Sequence, residues 1–195
     1  MKPIKENGRV SECGRLVGEM MLAEMGREYE FKRDWLIRKA WLVVPVESAS
    51  RLRPVDIPVM VGALRQAGQK HCFAVFNEPG YIQQLPVIVH SEPPSEVATC
   101  YSLSIDEADF HAFNRELGLF RSVLTTQARS WAISCNEWYN LFAAEADLLE
   151  ALLGKPLDQA RQEFFEFASC LARGNAEEPI LKMAQYYAAL SKSTM

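Results

Sequence analysis

Apolar positions recur at spacings of three and four over residues 11–27, SECGRLVGEMMLAEMGR, where Cys13, Leu16, Val17, Met20 and Met21 share a stripe. That periodicity predicts an amphipathic helix, weakened by Gly14 and Gly18 and stopped near Gly26. A β-branched and aromatic run at 40–46 predicts a buried strand, and the preceding residues from 30 fit strand or helix. On a strand, Trp35, Ile37 and Trp41 would share one face. After the turn-rich ESASRLRP, residues 55–66 predict a helix with Pro58 in its first turn. KHCFAVFNEPG (70–80) reads as a strand running into an Asn-Glu-Pro-Gly turn. QLPVIVH (84–90) reads as a further strand, at an edge because of Pro86.

VATCYSLSIDEADFHAFNRELG predicts a strand and then a helix, with Ser104 and Glu107 spaced as a capping box and Gly118 placed to end the helix. SVLTTQARSWAIS and WYNLFAA predict strands joined by a turn at Asn136-Glu137. In the first of these, alternation sets Trp131, Ile133 and Cys135 on one face. A short helix follows, ending at Gly154, and two longer ones close the chain. The first, 157–173, carries the stripe Phe164, Phe167, Ala168, Leu171. The second, capped by Asn175, carries Ile180, Met183, Ala184, Tyr187, Leu190.

A strand–helix–strand pattern thus occurs twice, at 40–77 and 97–135, without shared side-chain motifs. The expected fold is α+β, with mixed α/β as the neighbouring class: one sheet, helices on at least one face, and a C-terminal helical pair. The 195 residues suit a single domain, 1–195, with 1–28 as an N-terminal helical appendage and SEPPSE (91–96) as a weak internal boundary.

The charge balance changes the functional picture. Residues 1–100 hold 13 Lys and Arg against 12 Asp and Glu, whereas residues 101–195 hold 8 against 13, a net of −5. An acidic protein of net charge −4 makes a poor nucleic-acid binder, because phosphate contacts supply most of that affinity. No apolar run approaches the roughly 20 residues of a membrane span, and no apolar segment follows the N-terminal lysines as in a signal peptide. Five scattered cysteines without a CxxC pair suit reduced, buried thiols and a cytoplasmic location.

Candidate chemistry is thin. Cys135 lies two residues from Glu137, but a nucleophilic thiol needs a base and a lowered pKa, which a carboxylate does not provide. Glu107 and His111 share a helix face as a carboxylate–imidazole pair would, yet acids in a first helical turn also serve the helix dipole. Glu107, His111 and Cys135 are therefore the weak catalytic candidates, and His71, Cys72 and Cys100 complete the sparse set from which a pocket could draw. No metal site and no cofactor is expected, since paired ligand spacings, glycine-rich phosphate loops, GxSxG and HExxH are all absent. The basic and aromatic string FKRDWLIRKAW singles out Trp35 as a possible contact residue. Phe165 and Tyr186 lie off the main stripes of their helices and are candidates for an interface.

These readings favour a non-enzymatic cytoplasmic protein–protein interaction module, an accessory or regulatory subunit or an antitoxin-like inhibitor of a basic partner. A homodimer through the C-terminal helices is expected as well. The alternative is a small enzyme or ligand-binding domain with a pocket between sheet and helices.

Overall fold

The structure, a computed structural model, describes residues 1–22, 30–48, 51–76, 100–118, 121–136, 138–172 and 178–192. The predicted strand at 84–90, the boundary at 91–96, the Asn-Glu-Pro-Gly turn, Glu137 and the cap Asn175 lie outside them. Among the described residues the chain runs β1 (Lys2–Pro3), α1 (Asn7–Met20), α2 (Arg33–Lys39), β2 (Leu42–Glu47), α3 (Ile57–Gln66), β3 (His71–Val75) and β4 (Cys100–Ser104). It continues through α4 (Glu107–Leu117), β5 (Ser122–Thr125), β6 (Trp131–Cys135), β7 (Tyr139–Ala144), α5 (Ala146–Leu153), α6 (Leu157–Ala172) and α7 (Glu178–Lys192).

The strands form one antiparallel sheet in the order β1-β4-β3-β5-β6-β7-β2. Alternation along each strand feeds two cores, one on each face. Val43, Phe73, Val75, Cys100, Val123, Ala132 and Leu141 look toward α1, α2, α6 and α7. Val44, Cys72, Ala74, Leu103, Leu124, Trp131, Ile133, Cys135 and Phe142 look toward α3, α4 and α5. The α+β class and the helical C-terminus are as the sequence predicts, with helices on both faces.

Both edges of the sheet are protected, as an edge must be to avoid pairing with another chain. One ends in β1, only two residues long. The other is β2, which carries Pro45 and is covered by α6. That helix wraps the edge: Leu157 and Ala160 near its start are buried in the core of one face, Phe164 and Ala168 in the core of the other.

Several local readings need correction. α1 begins at Asn7 rather than residue 11, and its Gly14 and Gly18 sit on the exposed side. α1 buries Cys13, Leu16, Val17 and Met20 in the same core as the sheet. Residues 33–39 are helical, which turns Ile37 to solvent while Trp35 and Leu36 are buried. The N-cap of α4 is Asp106, whose carboxylate accepts from the Asp109 N–H at 2.8 Å. Ser104 is instead the last residue of β4, and its N–H donates to the Asp109 carboxylate at 2.7 Å. No helix among the described residues is long and apolar enough to cross a membrane.

Candidate functional site

The weak catalytic candidates do not converge. Cys135 ends β6 on the core face shared with Trp131 and Ile133, and burial pushes its thiol up to about 12, against a smaller lowering by the neighbouring Ser122. The strand register sets Ser122, Cys135 and Asn140 side by side across β5, β6 and β7. All three are buried, and no histidine among the described residues joins them. This row is structural: the Asn140 side-chain amide donates to the Arg51 carbonyl at 3.2 Å and helps hold the loop before α3. Glu107 and His111 are exposed on α4, with no hydrogen bond or ion pair among the described residues.

The wider set is divided by the sheet itself. Cys72 and Cys135 face one core; Cys100 and, by alternation, His71 face the other. Burial raises the thiols of Cys72 and Cys100, which keeps them protonated and unreactive. Among the described residues no group of three or more His, Cys, Asp or Glu side chains is placed to hold a metal ion.

Trp35 is 6% exposed, a core residue rather than a surface contact. Its ring meets Trp41 edge-on at 6.5 Å and is covered by cations: Arg129 at 4.9 Å, Arg38 at 5.5 Å and Lys39 at 5.7 Å. Arg129 reaches it from the β5–β6 turn in a left-handed conformation and also pairs with Glu19 of α1. Arg38 and Lys39 of the basic string thus cap a buried tryptophan, and Arg129 ties α1 and α2 to that turn.

The other two interface candidates are exposed. Phe165 is 42% accessible on α6, and Tyr186 is 37% accessible on α7, stacked edge-on to Tyr187 at 5.0 Å. Phe165 borders a groove of about 430 Å³ between α6, α7 and the edge strand, with Val43, Pro45, Phe164, Ala184 and Ala188 as its apolar lining and Asp158 and Arg161 at its rim. Sequence reasoning missed Trp138, 50% exposed in the β6–β7 hairpin. Its place after the predicted turn at Asn136-Glu137 was the available signal.

The acidic balance of the C-terminal half is also resolved in space. Residues 145–166, spanning α5 and most of α6, hold six acids (Glu145, Asp147, Glu150, Asp158, Glu163, Glu166), all exposed, against Lys155 and Arg161. Both bases are already paired, Lys155 with Glu163 at 2.7 Å and Arg161 with Asp158 at 3.3 Å. Lys155 and the side-chain amide of Gln159 hold the Glu163 carboxyl below its ordinary range. The net charge of this stretch, −4, equals that of the whole chain.

Compared with protein-family models, with curated proteins and with solved structures, the chain matches none.

Proposed function

We propose that this chain is a non-enzymatic interaction module whose α6 face receives a basic partner protein. The observation that carries this reading is the coincidence, on α6, of an exposed aromatic beside an apolar groove and three of the six exposed acids of the 145–166 stretch. Interfaces are anchored by aromatic side chains in pockets, and an acidic excess on the elements around such a pocket steers an oppositely charged partner toward it. A second copy is the poorer occupant, because a two-fold contact through α6 would bring its acids, Asp158, Glu163 and Glu166, near those of the copy. The separation of Cys135, buried in the sheet, from Glu107 and His111, exposed on α4, favours the interaction reading over a catalytic one. All five cysteines are free thiols, which suits a reducing compartment and hence the cytoplasm.

The test is isolation of the tagged chain from its native lysate at low ionic strength. A basic polypeptide at stoichiometric level is expected, released by raised salt and lost in Phe165→Glu. Ile37→Glu, on α2, should retain it. A chain that elutes alone at low salt, or a partner indifferent to Phe165→Glu, overturns the reading.

A further inference from the structure

A second concavity lies far from α6 in the fold, between α1 and the sheet. It encloses about 400 Å³, at the lower end of the roughly 300–1,000 Å³ typical of small-molecule sites. Its apolar side is formed by Leu16 of α1 and Phe73 of β3, both buried. Its polar side comes from separate elements: Arg9 on α1, His71 on β3 and the half-buried Ser102 on β4.

None of these three side chains has a hydrogen bond or ion pair among the described residues, so a guanidinium, an imidazole and a hydroxyl border one cleft with their donors uncommitted. The Arg9 charge reaches inward, acting to lower the buried thiols of Cys13 and Cys100 against the larger effect of burial, which raises both. The one acid on the lining, Glu12, is exposed at the rim, where it accepts a hydrogen bond from Gln127 at 3.3 Å.

From this arrangement we infer that the α1–sheet cleft binds a small carboxylate with an apolar body, its carboxylate between Arg9 and His71 and its chain or ring against Leu16 and Phe73. Arg and His donors suit a carboxylate, whereas the one anionic group on the lining that could pair with an ammonium head is Glu12, at the rim. An apolar wall beneath a guanidinium and an imidazole distinguishes the cleft from an ordinary basic surface patch, which has nothing to hold the body of the ligand.

The probes are octanoate, octanol and octylammonium, added to the full chain while its assigned amide resonances are followed. Octanoate should perturb residues 9–16, 71–73 and 102 saturably, and the other two should bind at least tenfold more weakly. Arg9→Gln and His71→Gln, both at exposed positions and so able to fold, should each weaken octanoate about tenfold. Glu12→Gln should tighten it a few-fold by removing a like charge. Equal binding of octylammonium, shifts confined to other residues, or affinity unchanged in both Arg9→Gln and His71→Gln would overturn the site. The outcome is independent of any partner on α6.

Discussion

Asp106 takes the role that the spacing of Ser104 and Glu107 predicts for Ser104. The strand runs on through Ser104, so the chain leaves the sheet two residues later and the cap moves with it. Asp106→Ala should therefore destabilise the protein by about 1 kcal/mol in a urea titration, the usual cost of an N-cap; an unchanged midpoint would show that the cap contributes nothing. Trp131, with no exposed surface, stands in one of the central strands, and Trp131→Ala should cost roughly 3–5 kcal/mol. At the thiols, burial decides reactivity. Cys13, Cys72, Cys100 and Cys135 are buried and Cys170 is exposed on α6. With the Cys135 thiol pushed up to about 12, the neutral form persists far above pH 8. Titration of the native protein with an aromatic disulfide at pH 8 should give one fast thiol, absent in Cys170→Ser. A second fast thiol would mean that a core opens locally.

Between α5 and α6 the chain turns at Gly154, the C-cap of α5, with φ +64°. A side chain there would be strained by the left-handed backbone, and its Cβ would lie 2.7 Å from the Val59 Cγ1. Gly154→Ala should lower stability by roughly 1–2 kcal/mol from the backbone alone, with the clash added to that. Because the two costs are separate, adding Val59→Ala should recover the steric part only, as read from denaturation midpoints of the single and double variants. Complete recovery would place the whole cost in the clash. The turn matters beyond its own energy, since it directs α6 around the β2 edge and so sets where Phe165 and the acids of α6 face.

For the whole molecule, the distribution of charge matters more than its sum. Surface charges of one sign repel a copy and attract a basic partner, and both effects weaken with salt. Light scattering after size exclusion at low ionic strength should return the mass of one chain for the isolated protein. Twice that mass, collapsing to one chain in Phe165→Glu with the fold retained, would support instead the homodimer expected from the helix stripes.

What the sequence determined by itself is periodicity. Period two placed Trp131, Ile133 and Cys135 on one face, and periods of three and four placed Cys13, Leu16, Val17 and Met20, or Ile180, Met183, Ala184, Tyr187 and Leu190, in a core. These placements depend on neighbours a few residues away, which local geometry fixes. Contacts between distant segments left no such trace. The pairing of β1 with β4, the burial of Trp35 under Arg129 and the Ser122–Cys135–Asn140 row join residues whose spacing carries no period. The same holds for both clefts: Arg9 and His71 border one, and Phe165 and Pro45 the other, only after the sheet is assembled. Tertiary structure alone decided which polar groups stand beside which apolar ones, because that depends on strand order and on how α1 and α6 lie across the sheet.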